Sequence, residues 1–371
     1  MNIRAALSGD IDRGHTDLRL MGANPDYWYP LAWSSDVRRG KVFACNFAGQ
    51  PIALYRGSSG ALHALEDRCA HRQVPLSQGA VEGETLRCGY HGWRYDCAGA
   101  CVDVPYLGQR MGQGVGQGMG QARLPNGVRA YPVRETDGMV FVFPGDPALA
   151  QARAPVALGS KSDTAYKTRR LDRTIACHYT FMHENLFDMN HQFLHRSLMG
   201  QVKASCLDRR IGEDWCEVDY TFTRKAGCSN MGENAIRNMM GRKGAGGDLM
   251  TIRTSYPYQS LKVWVKGEEP ALDVWLCYTP MDAAQRSNRT FGYLSVRKSR
   301  IPGLTHLLWP LVTWFTEGIF AQDKRIVELE QAAHDAQGCC HNNEVFPPVL
   351  DLRGVLARCG VSLPLAPALD L

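Results

Sequence analysis

The segments EDRCAHRQVPL, residues 66–76, and RCGYHGWRYD, residues 87–96, each carry one Cys and one His. One residue separates Cys69 from His71 and two separate Cys88 from His91, with sixteen residues between His71 and Cys88. Thiolates and neutral imidazoles in equal number suit zinc or an iron–sulfur cluster. Three features separate these. A two-Cys, two-His zinc finger pairs Cys with Cys and His with His ahead of a helix, whereas each loop here mixes the two. Gly89, Gly92 and Gly99 surround the second loop, so backbone N–H groups can approach bridging sulfides closely. His ligation of one iron raises the reduction potential and suits an electron relay. Cys97 and Cys101 lie nearby without a paired His and read as structural.

The residues CAHR and CGYHGWRYD resemble the signature of a Rieske [2Fe–2S] domain, with Cys69, His71, Cys88 and His91 as cluster ligands. Trp93 reads as packing over the cluster loop. The surrounding sequence suits such a domain. KVFACNF, QPIALYR and ALHALED are short apolar runs bounded by AGQ and GSSG, which are strand and hairpin signals. The same style returns in VRAYPVRETDGMVFVFPGD. Residues 24–146 therefore read as a compact antiparallel β domain, preceded by an arm over residues 1–23. Within it, GQRMGQGVGQGMGQ (108–121) has glycine spacing like that of a phosphate loop. No strand feeds it and no helix follows, so it reads as a flexible surface insertion.

The chain has 371 residues, 44% hydrophobic and 21% charged, enough for two domains with ordinary cores. The net charge of +5 is spread out, with no basic block or nucleic-acid motif, so nucleic acid is not expected as a partner. The N-terminus MNIRAALSGDIDRGH lacks the apolar core of a signal peptide, and the 13 cysteines are irregularly placed. These features predict reduced thiols and a cytoplasmic protein. The apolar run GLTHLLWPLVTWFTEGIF contains His, Pro and Glu and reads as a core helix, not a membrane span.

After a Pro/Ala linker a second domain occupies residues 147–371. HYTFMHENLFDMNHQFLHRSLMG has helical spacing, and five alternating runs between 214 and 297 read as an antiparallel sheet. A long helix follows over about 303–336, broken near Pro310. The spacing places Asp188, His191 and His195 at i, i+3 and i+7, on one face of a helix. Two His and one carboxylate form the facial triad of mononuclear non-haem iron(II), with open positions for O2. Asp188 and Asp323 are both candidates for the carboxylate. His178 and His183 do not form such a cluster.

Together, the two constellations resemble the terminal component of Rieske non-haem iron oxygenases over about residues 24–336. NLFDMNHQFLH looks like the family's metal-binding helix and AQDKRIVELEQ like its Asp-bearing C-terminal helix. Many members place four residues between the two histidines, where this chain has three. The resemblance implies an α+β fold, a Rieske domain followed by a helix-grip catalytic domain. It implies Asp323 as iron ligand in preference to Glu328 or Asp335, and Asn185 as a polar neighbour of the iron. It implies Asp188 as a bridge that hydrogen-bonds His191 and, across a subunit boundary, a neighbour's His91, hence a head-to-tail homotrimer.

Electrons would come from NAD(P)H through a separate reductase or ferredoxin, since no nucleotide-binding motif is present. The modest length resembles the single-subunit branch of the vanillate and dicamba O-demethylase oxygenases. That implies a monooxygenase that hydroxylates, demethylates or oxidatively cyclises an aromatic or heterocyclic substrate. Ring dihydroxylation is the alternative within the class, and a Rieske electron carrier without oxygenase activity the alternative outside it. Met182, Leu186, Phe187, Trp264 and Trp275 are candidates for the pocket wall, and equally for plain core.

Overall fold

The structure is a computed structural model that describes residues 16–105, 124–155, 158–224, 249–264 and 269–363. The Gly/Gln stretch 108–121 lies outside the described residues. The chain divides into two compact units: Pro25–Ala157 with Met281–Ala283, and the remainder.

The first unit is built from small antiparallel sheets. Val42–Phe47, Gln50–Arg56 and Leu62–Glu66 form one meander. Ala80–Glu82, Thr85–Arg87, Arg94–Tyr95 and Cys101–Asp103 form another, and Tyr29–Trp33 joins the hairpin Val133–Thr136/Met139–Val142. Their apolar faces meet in a core that includes Ala53, Leu65, Leu76, Leu86 and Tyr95, all at most 1% exposed. Cys69 and Cys88 sit in this same core.

The second unit is a seven-stranded antiparallel sheet. In spatial order its strands are Tyr166–Ile175, Asn288–Arg297, Leu272–Pro280, Tyr258–Trp264, Leu249–Ser255, Trp215–Arg224 and Val202–Ile211. The edge strands Tyr166–Ile175 and Val202–Ile211 were not expected from the sequence. They are charged, as exposed edges tend to be, and their charges pair sideways: Arg289 with Asp172 at 2.7 Å and Arg210 with Asp219 at 2.6 Å. Such charges mask the period-two signal that marks a strand.

The helices are Tyr179–Phe187, Leu304–Gln337 and Pro347–Cys359, with short turns between. The long helix runs unbroken through Pro310, contrary to the break expected there. Pro310 lies in its second turn, on the solvent side, and the hydrogen bond it forgoes is that of His306, an exposed residue whose carbonyl water can reach. The described part of the expected N-terminal arm is not loose. Met21–Gly22 pairs with Val361–Ser362, and Leu18 and Arg19 are buried in the second unit. Among the described residues, no helix is long and apolar enough to cross a membrane.

Candidate metal centres and the family they define

The two Cys/His loops are folded alike. In the first, Cys69 N–H donates to the Val74 carbonyl and Gln73 N–H to the Cys69 carbonyl, both at 2.9 Å. In the second, Cys88 N–H donates to the Trp93 carbonyl at 2.8 Å and Gly92 N–H to the Cys88 carbonyl at 3.2 Å. The fourth residue after each Cys is left-handed: Gln73 at φ +61° and Gly92 at φ +76°. The glycine marks this turn in the sequence; Gln73, its counterpart, gives no such signal. Each loop thus folds a buried thiol and a more exposed imidazole toward the same side. The rings of His71 and His91 lie 4.6 Å apart, and Trp93 stacks flat on His71 at 4.7 Å.

Tyr95 hydroxyl contacts Cys69 Sγ at 3.1 Å and accepts from Ala70 N–H at 3.0 Å. Burial raises the Cys88 thiol, so thiolate there needs a compensating cation. Cys101 is buried with its thiol toward the Asp103 carbonyl, and Cys97 is exposed. With a thiolate as acceptor, the Tyr95 hydroxyl donates to Cys69, and a hydrogen bond to a ligand sulfur raises a cluster's potential. Replacing Tyr95 by Phe is expected to lower the potential by on the order of 50 mV, the one-electron equivalent of about 1 kcal/mol. Cluster content should be unchanged. Redox titration followed by electron paramagnetic resonance measures both.

In the second unit the segment around His191 is not one helix, as the spacing had predicted. The helix Tyr179–Phe187 stops at Asp188, which turns extended at φ −86°, ψ 95°. The Asp188 carboxylate then accepts from Asn190 N–H at 2.8 Å and starts the 3-10 turn Met189–Phe193. Asp competes for backbone donors in this way, which is why it caps helices and breaks them. Tyr220 hydroxyl takes the otherwise orphaned Phe187 carbonyl at 2.9 Å. Glu184, one residue before Asn185, is held by Arg19 at 2.7 Å and Arg353 at 2.5 Å.

Despite the break, His191 and His195 converge. Their rings lie 5.1 Å apart at 80°. Asp323, from the long helix, places Oδ1 3.1 Å from His195 Nε2 and 3.7 Å from His191 Nε2. Among the described residues, these three are the one group of His, Cys, Asp and Glu whose donor atoms all lie within 4.8 Å of one another. Glu328 and Asp335 are engaged elsewhere: Glu328 accepts from Ala176 N–H at 3.0 Å and Asp335 from Gln331 at 2.8 Å. His178 and His183 are buried apart from the group, His183 edge-on to Tyr278 at 4.8 Å.

Both histidines are anchored through Nδ1. His195 Nδ1 donates to Gln322 Oε1 at 2.8 Å, and Gln322 is itself oriented by donating to Ser197 at 3.2 Å. His191 Nδ1 donates to the Asp188 main-chain carbonyl. The expected contact between Asp188 and His191 is therefore made by the backbone, not by the carboxylate. In this tautomer each Nε2 presents a lone pair toward Asp323 Oδ1, a buried atom with no aligned hydrogen bond. Acceptors facing acceptors need a proton or a metal cation between them. Burial lowers His191, whereas at His195 burial is outweighed by Asp323, which leaves its pKa raised. Sequence reasoning missed Gln322; its place beside Asp323 in AQDKR is the only signal. Gln322→Leu is expected to weaken iron binding at this centre by about 10- to 100-fold, measured by iron titration against a competing chelator.

Asn185 and Asp323 share the wall of a narrow cavity of about 30 Å³ with Met182, Leu186, Phe320 and Tyr278. Phe187, Trp264 and Trp275 are not on that wall. The Trp264 indole donates to Thr251 at 3.1 Å and Trp275 packs on Tyr258.

Comparison with known proteins agrees with this pair of centres. Residues 27–132 match the Rieske [2Fe-2S] domain, and residues 175–346 match the vanillate O-demethylase oxygenase C-terminal domain. The chain is 32% identical over 346 residues to the 4β-methylsterol monooxygenase of Methylococcus capsulatus, covering 90% of this chain and 87% of that protein. It is 36% identical over 186 residues to the dicamba O-demethylase oxygenase component of Stenotrophomonas maltophilia, about half of each chain. A crystal structure of dicamba monooxygenase bound to 3,6-dichlorosalicylic acid shares the fold, with a TM-score of 0.67 at 24% identity over 92% of this chain and 96% of that one. The chain belongs to the Rieske non-haem iron oxygenases and is a terminal oxygenase component, an oxidoreductase that works with a Rieske [2Fe–2S] cluster and mononuclear iron.

Proposed function

We infer that this chain monooxygenates a methyl group on a largely apolar organic substrate. The reading rests on one observation: His191, His195 and Asp323 converge, with both second ring nitrogens anchored, beside a mainly apolar cavity. Two His and one carboxylate would hold mononuclear iron, and Cys69, His71, Cys88 and His91 a Rieske cluster. When bound, the iron supplies O2 activation and the cluster one-electron transfer. The anchored imidazoles keep their Nε2 lone pairs aimed at one point, and the apolar wall excludes bulk water from it. Asn185 offers the substrate or an incoming water a neutral polar contact on the same wall. The methyl group as target is suggested by relatives named for methylsterol oxidation and for O-demethylation.

NAD(P)H supplies the electrons through a separate reductase or ferredoxin. A head-to-tail homotrimer would place a neighbour's His91 at Asp188, whose Oδ1 is taken by Asn190 while Oδ2 has no partner among the described residues. No cysteine among the described residues forms a disulfide, which fits the cytoplasm. The test is reductase-driven O2 consumption across methylated aromatic, methoxylated and alicyclic compounds. Hydroxymethyl products or released formaldehyde support the reading; a cis-diol product contradicts it.

A further inference from the structure

Three charged side chains from distant parts of the chain meet beside the helix Tyr179–Phe187. Arg19 comes from the short turn Leu18–Leu20 and Arg353 from the helix Pro347–Cys359. Their side chains are 3% and 2% exposed, and they grip opposite oxygens of the Glu184 carboxylate, at 2.7 Å and 2.5 Å. Arg19 also donates to Thr180 Oγ1 at 2.5 Å, one turn earlier on the same helix. A guanidinium can only donate, so the Thr180 hydroxyl gives its own proton to His178 Nδ1 at 2.8 Å. The Arg19 guanidinium lies over the Phe181 ring at 3.4 Å, and Arg353 donates as well to the Thr16 carbonyl. The N-terminal segment thus pins two turns of this helix.

A buried ion cluster of this kind is a poor source of stability, because apolar side chains of similar volume commonly do as well or better. What this one contributes is position. Asp188 N–H donates to the Glu184 carbonyl at 3.0 Å, the bond that closes the helix. The Asp188 carbonyl in turn accepts from His191 Nδ1. Asn185, on the cavity wall, directly follows Glu184. Helix ends ordinarily fray, yet this one supports an imidazole whose Nε2 must stay aimed at one point. We propose that Glu184, held by Arg19 and Arg353, is a positioning residue for the mononuclear iron centre: the ion cluster fixes the last helical turn and, through the Asp188 carbonyl, the orientation of His191. This rests on the oxygenase reading above, which supplies the iron. Glu184 is not on the cavity wall, so it acts only through its neighbours.

The test is iron binding to the full chain, which needs no turnover. Glu184→Gln alone would strand two buried cations and endanger the fold. Arg19→Met is the better single variant, because it leaves Glu184 and Arg353 as a balanced pair. The triple variant Arg19→Met, Glu184→Leu, Arg353→Met removes all three charges together. Both should keep the cluster and a thermal midpoint close to that of the wild type. Both should bind mononuclear iron about 10- to 100-fold more weakly, read against a competing chelator. The electron paramagnetic resonance of the nitric oxide adduct of that iron should broaden, because a loosely held His191 samples several orientations. Val296→Ala, which opens a cavity at a fully buried strand position, is the control. It should lower the thermal midpoint and leave iron affinity and signal unchanged. The proposal is overturned if a folded variant binds iron as the wild type does with the same signal, or if Val296→Ala loses affinity to the same extent. Should the triple variant not fold, Arg19→Met decides alone. Wild-type protein without a third iron would sink the oxygenase reading itself, a result distinct from any difference between variants.

Discussion

Asp323→Ala is expected to yield a red-brown protein with an intact cluster, no mononuclear iron and no turnover. Three donors converge in the second unit, and Asp323 is the only anionic one. Removing it leaves two neutral imidazoles, anchored at Gln322 and at the Asp188 carbonyl, with nothing to offset a divalent charge. Iron should fall from about three to about two per chain while acid-labile sulfide stays at about two. The cluster spectrum should not change, because its ligands belong to the other compact unit. Glu328→Ala and Asp335→Ala are the controls: both carboxylates are engaged elsewhere, and both variants should keep the third iron.

Asp188→Ala should behave differently. The contact that orients His191 comes from the main-chain carbonyl of residue 188, which the substitution keeps. Iron at both centres should be retained, and the cluster should still accept an electron from dithionite. Turnover should fall by at least about 100-fold if the carboxylate receives a neighbour's His91 while the carbonyl of the same residue holds His191, an effect at the upper end of those seen for groups that orient metal ligands. Part of any loss of stability comes from the missing cap on Asn190 N–H, about 1 kcal/mol, so thermal unfolding must be measured beside kinetics. Loss of mononuclear iron from this variant would mean that the carboxylate, not the backbone, supports the site. Stopped-flow reoxidation of the pre-reduced cluster by O2, with substrate bound, separates slow electron transfer from slow chemistry.

The parts of this protein legible in the sequence are those whose chemistry is local. Cys69, His71, Cys88 and His91 sit in two turns with glycine punctuation, so residue type and spacing suffice. Gln73 was invisible because a left-handed glutamine has no compositional mark, although it plays the part of Gly92. The segment after Tyr179 was harder. Its periodicity suggested one helix from end to end, yet the Asp188 side chain competes for Asn190 N–H and wins, so the histidines converge across a broken helix. That cap is local, from residue i to i+2, but an Asp inside an otherwise periodic run gives no sign of whether it caps the backbone or continues the helix. The remaining anchor, Gln322, and the third donor, Asp323, lie more than a hundred residues away; only resemblance to a family could point to Asp323 before the fold placed it beside His195 at 3.1 Å. The two edge strands were hidden by the charges that protect them, and the long helix survived Pro310 because that residue sits near its start and faces solvent.

Metal and sulfide analysis of the anaerobically loaded wild-type chain tests the central claim most directly. Two separate iron centres predict about three irons and two acid-labile sulfides per chain, with a Rieske-type resonance in the reduced state. Zinc in place of iron, or no more iron than sulfide in a fully loaded sample, would contradict it.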